Sequence, residues 1–198
     1  MNNTGIVILA AGSSTRLGRP KQLLRFQDKS LAERIIDEAV TAKLYPIVVV
    51  TGANAETISL PLKNKPVVIV YNDNWESGMG SGIKAGLLRA AVLNEKLQSI
   101  IIAVCDQPFV SASLFGKLME RRLETGKGMV ACAYADTLGT PVLFDKMYFR
   151  YLKALKENEG AKGLLKNYKD DVATVYFPQG SIDIDTEEDY KNLISLSE

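Results

Sequence analysis

The sequence predicts a single α/β domain built on a mostly parallel sheet, with helices on both faces. Three observations predict it. Strand-like and helix-like segments alternate along the chain, the order that winds a parallel sheet. The run at 99–105, Ser-Ile-Ile-Ile-Ala-Val-Cys, is apolar enough to be buried on both faces. A length of 198 residues fits one domain, with no repeat, linker or low-complexity segment to divide it.

The elements follow in order. Residues 5–9 form a short apolar strand ending in small residues. Over 30–42, Leu31, Ile35, Ala39 and Ala42 share one helical face with charges opposite. A β-branched strand at 46–51 ends on Thr51, a helix follows over 53–62, and 67–71 is a strand. A helix is predicted at 81–94, a central strand at 99–105 and an amphipathic helix at 111–125. Strands at 129–134 and 141–144 precede helices at 148–155 and 161–166. The chain closes with a strand at 173–177, a short strand at 181–184 and a helix at 186–195.

Composition removes several function classes. A net charge of +1 offers no bulk field for nucleic acid or a membrane surface. No apolar run approaches a membrane span, and Met1-Asn2-Asn3-Thr4-Gly5 lacks the basic and apolar regions of a leader. Cys105 and Cys132 sit in apolar strands and read as reduced core thiols, which predicts a cytoplasmic protein. There is no histidine, so a Ser-His triad, a Cys-His dyad and His-bound zinc are excluded. Chemistry must run on carboxylates, Lys, Arg, hydroxyls, backbone amides and a metal held by oxygen.

Parallel sheets bind ligands beyond the carboxyl ends of their strands. After the first strand comes Leu9-Ala10-Ala11-Gly12-Ser13-Ser14-Thr15-Arg16-Leu17-Gly18-Arg19-Pro20-Lys21. Small residues, hydroxyls and three cations suit a triphosphate, and suit equally a solvated Gly-rich turn. It is not a P-loop, because no Gly-Lys-Ser/Thr follows Gly18. The stretch Gly78-Met79-Gly80-Ser81-Gly82-Ile83 lacks the third glycine of a dinucleotide fingerprint. It reads either as a flexible turn with Ser81 capping a helix, or as a loop closing over a base with Asn72 and Ser81 as hydrogen-bonding groups. The central strand delivers Asp106, a turn cap or a metal ligand, ahead of Pro108. In Ile182-Asp183-Ile184-Asp185-Thr186, an extended backbone points Asp183 and Asp185 to one side. There Asp185 or Thr186 either caps the closing helix, or Asp183 and Asp185 join a third carboxylate, Asp106, at Mg²⁺.

Taken in order, these motifs resemble the molybdenum-cofactor nucleotidyltransferases of the MobA/MocA-like type. The resemblance runs from Leu9-Ala10-Ala11-Gly12-Ser13-Ser14-x-Arg16-Leu17-Gly18-x-x-Lys21 through Asn72, Trp75 and Gly78-Met79-x-Ser81. It continues in Cys105-Asp106-Gln107-Pro108, Gly139-Thr140-Pro141-Val142-Leu143-Phe144, Gly160-Ala161-Lys162 and Asp183-Ile184-Asp185-Thr186-x-x-Asp189-Tyr190. It covers nearly the whole chain.

The resemblance implies a Rossmann-like nucleotidyltransferase fold, with a nucleotide-binding part at about 1–110 and an acceptor-binding part at about 111–198. It implies catalytic roles for Arg16, Lys21 and Asp106. Leu9, Ala10, Ala11, Gly12, Ser13, Ser14, Arg16, Lys21, Thr51, Asn72, Gly78 and Ser81 would hold the nucleotide. Asp106 and Asp185 would bind Mg²⁺ or Mn²⁺. The implied partners are CTP or GTP and a phosphorylated pterin, with a molybdoenzyme as the product's client. An anionic phosphate nucleophile needs no general base, which suits a chain without histidine. Members that use CTP resemble this chain in Leu9–Gly12, whereas GTP users more often carry a second glycine where Ala11 stands. Two features depart from the family pattern: Gly80 and Gly82 around Ser81, and Asn158-Glu159-Gly160 ahead of Ala161. Lys162 and Lys166 would meet an anionic acceptor or form a solvated helix face. A sugar-phosphate or polyol-phosphate transferase and a non-catalytic cofactor chaperone are the alternatives.

Overall fold

A computed structural model describes residues 3–195; Met1 and Asn2, the first two residues of the leader reading, lie outside the described residues. The strands are β1 (Thr4–Ala10), β2 (Arg25–Phe26), β3 (Lys29–Ser30), β4 (Ile47–Thr51), β5 (Val68–Tyr71), β6 (Ser99–Val104), β7 (Met129–Tyr134), β8 (Thr137–Asp145) and β9 (Val172–Tyr176). The helices are α1 (Leu31–Thr41), α2 (Ala55–Ser59), α3 (Met79–Leu93), α4 (Ala112–Thr125), α5 (Phe149–Lys153), α6 (Lys162–Asn167) and α7 (Glu187–Ser195).

Seven strands form one sheet in the order β5-β4-β1-β6-β8-β7-β9. All neighbours are parallel except those of β8, which runs antiparallel between β6 and β7. Alternate residues of one strand feed opposite layers: Ile6, Ile8 and Ala10 join the layer of α1, α2 and α4, while Val7 packs with Ile83 and Leu87 of α3. Successive crossovers leave β1 in opposite directions, to β4 on one side and β6 on the other. The crevice therefore lies beyond Ala10 and Val104, at the switch point.

Two expected elements differ. Residues 181–184 make no strand: Ser181 ends the short helical turn Pro178–Ser181, and Ile182 N bonds back into that turn at Gln179 O. Their single ladder-like bond runs from Ile184 N to Asp106 O at 3.1 Å. The helix expected at 81–94 starts earlier, at Met79, with Gly78 at its N-cap. Ser81 is thus inside the first turn and caps nothing. Nor is the Gly-rich stretch a turn: from Met79 on it is helix. Gly80 N donates to Glu157 O at 2.9 Å, and a Cβ on Gly80 would overlap the Lys156 carbonyl. Glycine there permits the 156–159 backbone to lie against α3.

A third apolar cluster anchors the C-terminal segment. Ile184 and Leu193 pack with Leu17, Leu24, Phe26 and Leu31, and Ile184 is fully buried. Burial of Ile184 holds its neighbours Asp183 and Asp185 beside the crevice. The C-terminal part therefore contributes to the same site as the first loop.

Candidate active site

The loop after β1 is folded by its own side chains. Ser14 adopts φ 54°, and its carbonyl accepts from Leu17 N and Gly18 N. Its Oγ accepts from Lys21 N at 3.1 Å. Gln22 is buried and donates Nε2 to Ala10 O at 3.0 Å and Gly12 O at 3.1 Å. These bonds bend the loop back so that Lys21 points over the end of β6. The amides of Gly12 and Ser13 donate to no protein acceptor among the described residues, which leaves them for an anion.

Lys21 Nζ lies 2.5 Å from Asp106 Oδ2 and 2.7 Å from Asp185 Oδ1. Arg16 reaches the other oxygen of Asp185 at 2.6 Å from the exposed mouth. Burial pulls the Lys21 pKa down, but the charge of Asp106 and the hydrogen bonds to both carboxylates outweigh it, and the net shift is upward. The Lys21 hydrogen bond chiefly lowers the Asp185 pKa. Asp183 is raised, first by burial and then by the charges of Asp106 and Asp185. The site thus concentrates negative charge that its own cations only partly offset. Burial raises both thiols, Cys132 to about 12, so neither is a nucleophile.

Two hollows meet here. One, of about 300 Å³, has Leu9, Ala11, Gly12, Lys21 and Gln22 on one wall. Asn72, Trp75, Gly78, Met79 and Gly82 form the other, and Val104, Cys105 and Asp106 close the end. The second, of about 330 Å³, is bounded by Gln107, Tyr134, Thr140 and Asp183. Val104 and Asp106 line both. A ligand in each would meet at Asp106.

Of the residues expected at a nucleotide, Leu9, Ala11, Gly12, Lys21, Asn72 and Gly78 line the first hollow, and Asp106, expected at the metal, lines it with them. Ala10 is buried and acts through its carbonyl, and Ser13 and Ser14 shape the loop. Thr51 does not reach the hollow: it is 1% exposed and its hydroxyl donates to Val70 O at 3.4 Å. Ser81 is likewise turned away, bridging Asn72 Nδ2 at 2.8 Å and the Gly78 carbonyl at 2.7 Å. It positions Asn72 instead. Asp185 does not cap α7. Thr186 Oγ1 accepts from Asp189 N at 3.1 Å, and Asp189 Oδ2 accepts from Thr186 N at 2.8 Å, a reciprocal cap. The Asp185 carboxylate is left for the site. Gln22 and Tyr134 escaped the sequence reading. Gln22 carried no signal beyond adjacency to Lys21, and Tyr134 none at all.

Residues 6–172 match the MobA-like NTP transferase domain. The chain belongs to that family. This MobA-like transferase is 35% identical over 136 residues to nicotine blue oxidoreductase of Paenarthrobacter nicotinovorans, covering 68% of this chain and 63% of that one. It is 27% identical over 198 residues to the purine catabolism protein PucB of Bacillus subtilis, covering 93% and 92%. Against a probable molybdenum cofactor guanylyltransferase of Opitutus terrae it is 31% identical over 123 residues, covering 62% and 57%. Its fold superposes on Rv0371c of Mycobacterium tuberculosis with a TM-score of 0.82, 24% identity and 97% coverage of both chains. A manganese complex of that protein aligns with a TM-score of 0.76, at 25% identity and coverage of 97% and 98%. The fold is therefore the Rossmann-like nucleotidyltransferase fold of the MobA-like family. Among the described residues no helix is long and apolar enough to cross a membrane.

Proposed function

We propose that this MobA-like transferase moves the cytidylyl group of CTP onto the phosphate of molybdopterin or its metal-loaded form, releasing pyrophosphate. The observation that carries the reading is the meeting of two hollows at Asp106, with Lys21 over the junction. Nucleotide in the first and acceptor in the second would bring an acceptor phosphate oxygen in line with the α-phosphate.

The Gly12 and Ser13 amides and Arg16 bind the triphosphate in this scheme. Lys21 neutralises charge at the α-phosphate as the bond to the acceptor oxygen forms and the bond to pyrophosphate breaks. Asn72, held by Ser81, faces the base together with Trp75. Asp106 and Asp185 would hold Mg²⁺ or Mn²⁺. Their oxygens are the hard donors such ions take. Among the described residues no three Asp, Glu, Cys or His side chains gather closely enough to hold an ion alone. Two carboxylates plus phosphate oxygens and water is the arrangement Mg²⁺ favours. When bound, the ion supplies charge neutralisation on the phosphates.

The experiment incubates the protein with labelled CTP or GTP, Mg²⁺ or Mn²⁺, and molybdopterin, sugar phosphates or polyol phosphates, and follows pyrophosphate. Release that requires CTP and molybdopterin is the expected result. Release with another acceptor alone would overturn the pterin assignment. The likeness to nicotine blue oxidoreductase adds a redox arm. Oxidation of NADH or NADPH by a dye substrate, with no pyrophosphate from any mixture, would replace the transferase reading of this chain.

A further inference from the structure

The second hollow carries two carboxylates, Asp106 and Asp183, and among the described residues no lysine or arginine lines it. A phosphate entering it on the side away from Lys21 needs neutral donors. Most polar groups there are already committed. Thr140 Oγ1 donates to Gln107 Oε1 at 3.1 Å, and Ser181 Oγ donates to Pro178 O at 3.0 Å. Gln107 Nε2 gives one proton to Gly180 O at 2.8 Å and the other to Tyr134 Oη at 3.3 Å.

These bonds fix the polarity of the tyrosine. A flipped Gln107 amide would set Oε1 against the Gly180 carbonyl, two acceptors facing each other, so Nε2 lies on that side. Burial of Gln107 holds the amide there. An amide nitrogen only donates, so the Tyr134 oxygen accepts. Its own O–H proton has no protein acceptor among the described residues. The ring is held on three sides. It packs edge-on to Phe177 at 6.3 Å, and a Cβ on Gly180 would overlap its edge. A Cβ on Gly139 would overlap the hydroxyl itself, so glycine there makes room for the oxygen. A tyrosine that only covered two glycines would be replaceable by phenylalanine; the bond from Gln107 and the place over Gly139 belong to the hydroxyl.

We propose that Tyr134 binds the acceptor, its O–H donating to an oxygen of the acceptor's phosphate beside Asp106. This rests on the transferase reading of the Asp106 junction. The contact favours a phosphate ester, because a hydroxyl that already accepts from Gln107 offers its proton outward, and a hydrogen bond to an anionic oxygen is strengthened by the charge. No proton is transferred.

Two measurements on the full chain test it. The first compares wild type with Tyr134→Phe, which keeps the ring and removes the hydroxyl, in CTP-dependent turnover of molybdopterin. The acceptor KM should rise about tenfold, with the KM for CTP within about twofold and Tm within about 2 °C. The second needs no turnover: NMR of protein labelled with carbon-13 at the tyrosine Cζ, where the signal missing from Tyr134→Phe is that of Tyr134. Phenyl phosphate, added with α,β-methylene-CTP and Mg²⁺ in the first hollow, should move that signal, and Tyr134→Phe should bind the ester at least about fivefold more weakly. An unmoved signal overturns the proposal, as does an unchanged acceptor KM or an equal affinity of the variant for phenyl phosphate. If the variant melts early, the wild-type signal alone decides. If no acceptor turns over yet phenyl phosphate binding still depends on the hydroxyl, the transferase reading fails while the phosphate contact of Tyr134 stands.

Discussion

Lys21 Nζ and Asp106 Oδ2 are 2.5 Å apart although 85 positions separate them in the chain. That pair ties the first loop to the end of the central strand. Because Lys21 also holds Asp185, one ammonium offsets the charge of two carboxylates from distant segments.

This predicts how stability responds to pH. Asp185 is lowered in the folded protein, so its stabilisation is present above the unfolded carboxylate pKa, near about 3.9, and is lost in acid. Lys21 is raised, so its stabilisation holds below about 10.4 and is lost in stronger base. Asp183 is raised, so its ionisation costs stability that acid restores. In Lys21→Met, Asp106 loses its ion-pair partner and Asp185 keeps only Arg16. The variant's Tm should fall by about 5 °C or more at pH near 7, and the gap to wild type should narrow toward about pH 4.5. Thermal melts across that range decide it; a gap that widens in acid contradicts the charge account.

Asp106→Asn removes charge at nearly constant volume. Its backbone carbonyl still accepts from Ile184 N, so the anchoring of the C-terminal segment persists. Turnover should drop by about a hundredfold or more, with circular dichroism and Tm close to wild type. Retained activity with unaltered Mg²⁺ dependence would take Asp106 out of the mechanism.

Asp185 and Thr186 are neighbours with separable roles. Asp185→Asn should reduce activity steeply and lower Tm only by the lost pairing with Lys21 and Arg16, since the helix cap is made by Thr186 and Asp189. Thr186→Ala should instead lower stability by about 1 kcal/mol, read by denaturant titration. The reverse pairing of effects would reassign the cap.

Gly80→Ala places a methyl group against the Lys156 carbonyl. Overpacking of this kind costs about 1–3 kcal/mol. The 156–159 segment should exchange its amides faster in hydrogen–deuterium exchange. Unchanged protection there would show that the contact with α3 is not tight.

Ala11 lines the nucleotide hollow, and a Cβ on Gly52 would come within 3.0 Å of its own Cβ, so the wall is closely packed. A methyl group there obstructs a purine more than a pyrimidine, by about 1–3 kcal/mol. Wild type should prefer CTP over GTP roughly tenfold to a hundredfold in kcat/KM, and Ala11→Gly should raise GTP use with CTP use nearly intact. Equal use by wild type, or no change on substitution, would move the choice to the Asn72–Trp75 wall.

Local pattern was enough for most of the architecture. The apolar strands at the start of the chain and at 99–105, and the spacing of Leu31, Ile35 and Ala39, identify buried faces directly, because periodicity follows from backbone geometry. The switch-point rule then located the crevice at Gly12 and Asp106 before any packing was known. Short segments resisted this reading. Residues 181–184 alternate like a strand, yet become one only if a neighbouring strand pairs with them, and here a single bond, Ile184 N to Asp106 O, runs across. Whether Asp185 or Thr186 caps α7 is likewise open in sequence, since both are good caps; the hydrogen bonds with Asp189 assign it to Thr186.

By itself, the sequence determined the α/β class, the crevice, the absence of histidine chemistry and the candidate residues for phosphate and metal. Only the tertiary structure decided which of them share a space. Thr51 and Ser81 turn inward because each finds a buried acceptor, at Val70 O and Gly78 O, whereas Lys21 is swung over Asp106 by bonds to Ser14 and from Gln22. Contacts between residues far apart in the chain depend on how helices settle on the sheet, and no local pattern encodes that.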